Sequence, residues 1–236
     1  MIEIRRSEER GKTKLGWLTS YHSFSFNRYY DPAHVNFGPL RVLNDDTVIP
    51  GAGFGEHPHE NMEIVTYVLE GALEHRDSIG THGIIHAGEV QRMSAGTGII
   101  HSEYNYSKEK PGHFLQIWFF PNEEGLTPSY EQKKFTKEQR KNLFLPVALG
   151  RKEVGGVYLH QDVTMYVSSL ESSHELLHQV DNGRGVYLYV VDGSVTVNGV
   201  GLSRGDAGKV SKAQRIPVQA EKDSEIVLFD LPLGKP

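Results

Sequence analysis

Short runs of β-branched and aromatic residues, broken by glycine-containing turns, recur along the chain and constrain its fold more than any other feature. In the first half these runs cover residues 63–69, 72–75, 83–86, 89–93, 99–105 and 114–120. In the second half they cover residues 163–170, 185–191, 194–197, 215–220 and 225–230. Strands at this spacing are typical of barrels and sandwiches, so the sequence predicts an all-β fold.

The two halves of the 236-residue chain resemble each other. VTYVLEGALEH at residues 65–75 aligns with YLYVVDGSVTV at residues 187–197, which places Tyr67 on Tyr189 and Gly71 on Gly193. The offset is about half the chain length and indicates a duplicated barrel, although hairpin chemistry alone can produce a shared strand–turn–strand.

The segment between the halves is polar and charged and interrupts the strand pattern. Within it, Thr136 is positioned as the N-cap of one short helix. We therefore predict an N-terminal domain over residues 1–121, a connecting segment with a short helix over 122–150, and a C-terminal domain over 151–236.

Composition excludes several classes of function. The formal net charge is -5 and the Lys and Arg residues are scattered, so we expect no direct binding to nucleic acid. The chain has no cysteine, which leaves histidine and carboxylate as the ligands for any transition metal. It also has neither the apolar core of a signal peptide nor a run of about 20 apolar residues, so we expect no membrane association and a cytoplasmic location.

Two pairs of residues with alternating spacing stand out as metal ligands. His57 and His59 are two positions apart, as are His101 and Glu103. On a helix such pairs would point about 200° apart, whereas on a strand they share one face at roughly 6.6 Å. Pro58 cannot donate to a sheet ladder, so the first pair is expected at an edge, a strand beginning or a bulge. The two pairs can share one ion if their strands lie close together.

The alternative is that these side chains are structural, since an isolated histidine near a strand is more often a hydrogen-bonded structural residue. We expect such a structural role for His22, His34, His75, His82, His86 and His113. Four potential ligands with matching parity favour a site, because buried imidazole and carboxylate groups need partners. Glu63 shares the parity of His59 but lies about 13 Å along the extended chain, so we expect it behind or beside the ligands.

Two sequence motifs resemble those of the cupins. Gly51-x5-His57-x-His59-x3-Glu63 resembles the first cupin motif, and the stretch from Gly88 through Ser94 to His101-x3-Asn105 resembles the second. Seven residues rather than six separate Glu63 from Gly71, and Ser94 replaces the usual proline. These departures are similar to the pirin branch, in which a histidine and a glutamate follow in an HSE run. GWLTSYHSFSFNRYYDP, RVLNDD and SAGTGIIHSEYN also resemble pirin sequences, and the similarity is most specific over residues 15–120.

The resemblance implies a bicupin, with two double-stranded β-helix (jelly-roll-like) barrels in one chain. It implies one divalent transition metal in the N-terminal domain, held by His57, His59, His101 and Glu103. Fe(II) is favoured, with Cu, Ni, Co, Mn or Zn as alternatives, because affinity order alone does not choose among them. The C-terminal domain is expected to be degenerate and metal-free. An offset of 122 places Gln179 and Asp181 where His57 and His59 would lie, and His174 and His178 are expected to be structural or at the surface.

Pirin-like proteins resemble quercetin 2,3-dioxygenases, which implies oxygen-dependent cleavage of the central ring of a flavonol. Glu103 would then act both as a metal ligand and as the catalytic acceptor of the 3-hydroxyl proton. Phe54, Met93 and Ile99 are expected to line the pocket. The alternative is a metal-dependent binding or regulatory module of the pirin type, with a protein partner and incidental oxygenase activity, since eukaryotic pirins are described as transcriptional cofactors.

Overall fold

A computed structural model of the chain describes residues 2–151 and 155–234. In these ranges the regular structure is strand throughout, apart from one 3-10 helix at Ser7–Glu9, which confirms the all-β fold. The first eleven strands are β1 (Ile2–Arg5), β2 (Gly11–Lys14), β3 (Leu18–His22), β4 (Leu40–Val48), β5 (Gly53–His59), β6 (Glu63–Glu70), β7 (Ala72–Asp77), β8 (His82–His86), β9 (Glu89–Ser94), β10 (Ile99–Asn105) and β11 (Gly112–Phe119).

The remaining strands follow in chain order. They are β12 (Ser129–Lys134), β13 (Leu145–Leu149), β14 (Val157–Tyr158), β15 (Thr164–Leu170), β16 (Glu175–Gln179), β17 (Arg184–Asp192), β18 (Ser194–Val197), β19 (Val200–Ser203), β20 (Ala207–Val210), β21 (Arg215–Ala220) and β22 (Ser224–Pro232). No helix in the described part of the chain has the length and hydropathy needed to span a lipid bilayer.

The chain divides into two compact units. The first unit comprises Gly11–Lys134 and Val157–Gln161, and the second comprises Met1–Arg10, Phe135–Gly156 and Asp162–Pro236. This division differs from the predicted boundaries at the N-terminus, because β1 pairs with β20 of the second unit. Such a pairing joins residues about 200 positions apart, so no local sequence pattern reveals it.

The helix predicted after Thr136 is not formed. The Thr136 backbone N–H donates to Gln139 Oε1 at 2.8 Å and the Gln139 N–H donates to Thr136 Oγ1 at 3.3 Å, which is the reciprocal pattern of a capping box. Only a single turn follows, at residues 137–140. Asn142 then adopts a positive φ of 53°, which ends the turn before β13 begins.

The first unit contains two antiparallel sheets, with strand orders β12-β9-β6-β11-β4-β3-β2 and β5-β10-β7-β8. The pairing register of the larger sheet places one polar residue from each of five strands in a single row. These are His22, Asn44, Gln116, Thr66 and Gln91, each paired with the next. All five are buried. Because buried polar groups need partners, this row marks the interior of the first barrel as a polar site.

The second unit repeats the strand–turn–strand of the first. Gly71 and Gly193 occupy the equivalent turns with φ of 78° and 84°, a conformation that favours glycine. Tyr67 and Tyr189 are both buried in the preceding strands. The smaller sheet of the second unit has the strand order β16-β21-β18-β19, which corresponds strand for strand to β5-β10-β7-β8 of the first unit. The interior is an aliphatic core formed by Val186, Leu188, Val190, Val195, Val197, Ile216, Val218, Ile226 and Leu228, among others.

Candidate metal centre

The pairing of β5 with β10 brings together three of the four predicted ligands, His57, His59 and His101. His57 lies opposite His101, while Pro58 lies opposite Ile100. β5 is the edge strand of its sheet, as Pro58 predicts, since proline has no N–H for a further ladder. The register shifts between His101 and Glu103, so a bulge lies within the site.

The three histidines converge on one point. One ring nitrogen from each of His57, His59 and His101 lies within 4.8 Å of the others. The Nδ1 of His57 is 2.7 Å from the Gly55 carbonyl oxygen, which leaves its Nε2 for the shared point. The Nε2 of His101 is buried and has no hydrogen-bond partner among the described residues. This donor set fits a divalent transition metal, which would satisfy the buried nitrogen.

The environment keeps two of these imidazoles, His59 and His101, neutral. Burial, together with the other two histidines, lowers the pKa of His59 to about 4. Burial, together with His57 and His75, lowers the pKa of His101 to about 3. A metal binds only the unprotonated imidazole, so both side chains are in the ligating form at neutral pH.

Glu103 is held from the opposite sheet by the polar row. Its side chain is 1 % exposed. Its Oε1 accepts hydrogen bonds from Gln91 Nε2 at 2.7 Å and from Thr66 Oγ1 at 3.2 Å, and its Oε2 accepts from Gln116 Nε2 at 2.5 Å. These three hydrogen bonds fix the orientation of the carboxyl group. Within 4.8 Å, the carboxylate forms a group with His101 and His75, and this group shares His101 with the three-histidine group.

His75 connects the site to a buried aspartate. Its Nε2 lies 2.9 Å from Asp77 Oδ2, with both side chains fully buried, and its Nδ1 lies 3.5 Å from His101 Nδ1. Burial alone would raise the pKa of Asp77, but hydrogen bonds from His75 and from the Thr81 backbone hold that pKa below its usual value. An ionised Asp77 accepts the Nε2 proton of His75. His75 Nδ1 can then accept the Nδ1 proton of His101, which leaves the lone pair on His101 Nε2.

A cavity of about 300 Å³ opens beside the histidines. His57, His59, His101 and Glu103 all line it. Its apolar wall consists of Leu15, Trp17, Leu18, Phe26, Phe54, Ile64 and Trp118, and its polar wall consists of Thr13, Ser20, His22, Asn27, Asn44, Asp46 and Gln116. The Trp118 ring meets His59 edge-on at 4.9 Å, and Trp17 meets Phe54 edge-on at 5.1 Å. The cavity is suited to a flat aromatic molecule with a few polar substituents.

Comparison with known proteins places this arrangement in a family. The Pirin family model matches residues 3–119, and the model of the quercetinase C-terminal cupin domain matches residues 147–231. The chain belongs to the pirin family. It is 48% identical to the quercetin 2,3-dioxygenase of Escherichia coli strain K12, over 98% of this chain and 99% of that protein.

Solved structures agree with this pirin over its whole length. The crystal structure of YhhW from Escherichia coli has a TM-score of 0.95 and 46% identity, covering 100% of both chains. The structure of the bacterial pirin YhhW in complex with nickel(II) has a TM-score of 0.94 and 46% identity, covering 98% of this chain and 99% of that chain. The expected architecture of two cupin domains is thereby confirmed.

In the described part of the second barrel of the pirin, the ligand pattern predicted for the first is not repeated. Strand pairing makes Ile216 the counterpart of His101 and Val218 that of Glu103, and both are buried in the aliphatic core. His178, paired with Ile216, is the counterpart of His57. The sequence offset of 122 predicted Gln179 as this counterpart instead. It is wrong by one residue because the connection between β16 and β17 is one residue longer than the connection between β5 and β6. His178 is structural, as predicted, since its Nε2 lies 2.7 Å from Asp230 Oδ2.

The surroundings of the site were only partly predicted. Phe54 lines the cavity, whereas Met93 and Ile99 do not and instead pack in an apolar cluster with Ile64 and Trp118, which do line it. Glu63 is buried outside the cavity wall, and its Oε2 accepts the backbone N–H of His160 at 3.1 Å. Of the six histidines predicted to be structural, four have carboxylate partners: His34 with Asp31, His75 with Asp77, His82 with Glu74 and His113 with Asp45.

Sequence reasoning missed the polar wall of the cavity. His22, Asn44, Asp46 and Gln116 come from three strands distant in sequence. The available signal was alternation, because LTSYH and RVLNDD carry polar residues at every second position and so present one polar face each. Which face lies inward depends on pairing with other strands, and alternation alone does not decide it.

Proposed function

We propose that this pirin is a metal-dependent dioxygenase that cleaves the central ring of flavonols such as quercetin. One observation carries the proposal: three imidazoles and a buried carboxylate lie at the wall of an aromatic-lined cavity. The name of the relative from Escherichia coli and the nickel(II) complex of YhhW support it. His57, His59, His101 and Glu103 would hold one divalent metal, with Fe(II) favoured and Ni, Cu, Co, Mn or Zn as alternatives.

The charge of the donor set selects the substrate. Three neutral histidines and one carboxylate leave a divalent ion with a net charge of about +1, which favours a chelating monoanion. A flavonol supplies one through its deprotonated 3-hydroxyl and adjacent 4-keto oxygens. A redox-capable metal would supply the activation that dioxygen chemistry needs, whereas zinc is redox-silent.

The protein's own residues prepare the ligand for reaction. Glu103 lines the cavity and is oriented by Gln91, Thr66 and Gln116, so it is placed to accept the 3-hydroxyl proton. Trp17, Phe54 and Trp118 provide flat walls for the rings and keep water from them. Quercetin-dependent oxygen uptake by the metal-loaded protein tests the proposal. Stable binding without product would support a binding or regulatory role instead.

Replacement of His75 is expected to weaken metal binding without removing a ligand. His75→Phe should raise the Kd for Ni(II) about 10–100-fold, because His101 loses the acceptor that fixes its tautomer. His75→Gln should recover part of the affinity, since its amide oxygen can accept the His101 Nδ1 proton. Competition with a chelating dye measures both constants.

The matched control for this experiment is His82→Gln, on the neighbouring strand β8, where the side chain is 54% exposed. Its Kd should equal that of the wild type. An unchanged Kd in His75→Phe would show that His75 does not act on His101.

A further inference from the structure

Two polar pairs lie side by side on β3 and β4 and differ in one respect. His22 and Asn44 are paired in register, and both ring nitrogens of His22 have partners: Nδ1 lies 2.8 Å from Asn44 Oδ1, and Nε2 lies 2.9 Å from Thr13 Oγ1. Two positions along the same strands, and on the same face of the sheet, Ser20 is paired with Asp46. Ser20 hydrogen-bonds the Asp46 carboxyl, but Asp46 Oδ1 has no partner among the described residues.

An unpartnered carboxyl oxygen at this position is costly. The Asp46 side chain is 2% exposed and lies next to the apolar cluster that contains Leu18, Val48 and Phe114. Burial of an acceptor without a donor is destabilising. Burial, the main cause, together with the nearby carboxylates of Asp45 and Glu103, raises the pKa of Asp46 to about 7. The carboxyl is therefore poorly solvated and would gain from a donor.

Asp46 lines the same cavity as the proposed ligands. Trp17, Leu18 and Phe54 line the cavity with it, and of these three side chains only Trp17 carries a hydrogen-bond donor, its indole N–H. A molecule that fills the cavity can provide one.

We propose that Ser20 and Asp46 form a subsite for a phenolic hydroxyl group of the bound ligand, on a ring away from the oxygens that chelate the metal. The inference rests on the proposed function and deepens it, because it names the substituent that this pirin selects. The hydroxyl donates to the Asp46 carboxyl, and the Ser20 hydroxyl holds that carboxyl in place. The flanking apolar walls favour a flat ring that carries the hydroxyl over an aliphatic alcohol.

Anaerobic ligand binding tests the subsite without any need for turnover. Both tryptophans of the chain, Trp17 and Trp118, line the cavity, so quenching of their fluorescence reports occupancy. The probes are quercetin and 3-hydroxyflavone, which has the chelating oxygens but no other hydroxyl, each titrated into Ni(II)-loaded protein. The wild type should bind quercetin at least about tenfold more tightly, the contribution of one good hydrogen bond to a carboxyl.

Asp46→Leu should weaken quercetin binding about tenfold and leave 3-hydroxyflavone within about twofold. Asp45→Asn is the matched control, because this neighbouring carboxylate pairs with His113 and does not line the cavity. Equal affinities of the wild type for the two probes, or equal losses in Asp46→Leu, would overturn the subsite alone. The wild-type comparison decides even if Asp46→Leu does not fold. No quenching by either probe would overturn the subsite together with the substrate class. If quercetin still binds more tightly than 3-hydroxyflavone but is not turned over, only the proposed reaction is contradicted.

Discussion

His101→Ala is expected to reduce bound metal from about one equivalent per chain to nearly none. His101 belongs to both candidate ligand groups found among the described residues, and its buried Nε2 has no hydrogen-bond partner among them. Removing a residue that only hydrogen-bonds a metal ligand lowers metal affinity about 10–100-fold. Removing the ligand itself should therefore lower metal affinity further. The measurement is elemental analysis after loading with excess Ni(II) and removal of unbound ion.

The control for this experiment is His82→Ala, which removes an exposed histidine from the same unit. It should retain the full equivalent. Two equivalents in the wild type, or full occupancy in a folded His101→Ala variant, would show that the ligand assignment is wrong.

Glu103→Gln is expected to reduce flavonol turnover by about 100–10,000-fold, the range for loss of a positioned general base. The substitution keeps the shape of the side chain but removes the proton acceptor. In the wild type, Gln91 and Gln116 each donate to one carboxylate oxygen of Glu103. The new amide has only one oxygen, so its NH2 group would face one of these donors. Metal content must be measured on the same sample, so that loss of the ion is separated from loss of the base.

Glu63→Gln is the matched comparison, because the usual cupin motif would make Glu63 the carboxylate ligand. Its Oε2 accepts from the His160 backbone, and the residue does not line the cavity. We expect this variant to keep both metal and turnover. If Glu63→Gln lost the metal while Glu103→Gln retained metal and rate, the standard assignment would replace ours.

The sequence predicted those parts of the site that depend on strand periodicity. An alternating pair such as His57 and His59 can share a face only on a strand, and the predicted strand at residues 99–105 coincides with β10. His57 and His101 are therefore found opposite each other. The shared turn at Gly71 and Gly193 likewise predicted the duplication from local chemistry.

The rest of the site depends on register between strands that are distant in sequence. The row from His22 through Asn44, Gln116 and Thr66 to Gln91 exists only because five strands align in one sheet. A shift of one residue would turn each of these side chains to the opposite face. For the same reason, a one-residue difference in a connection was enough to displace the predicted counterpart of His57 from His178 to Gln179.

Turnover of a flavonol under oxygen is the most direct test of the proposed dioxygenase function. Quercetin loss, oxygen uptake and carbon monoxide release should be followed together with protein loaded with Fe(II), Ni(II), Cu(II), Co(II) or Mn(II), and with apo protein and zinc-loaded protein as controls. We expect turnover with at least one redox-capable metal, none with the controls, and none with a flavone that lacks the 3-hydroxyl and cannot supply the chelating monoanion. Equal rates with that flavone, or no turnover with any redox-capable metal, would contradict the dioxygenase proposal.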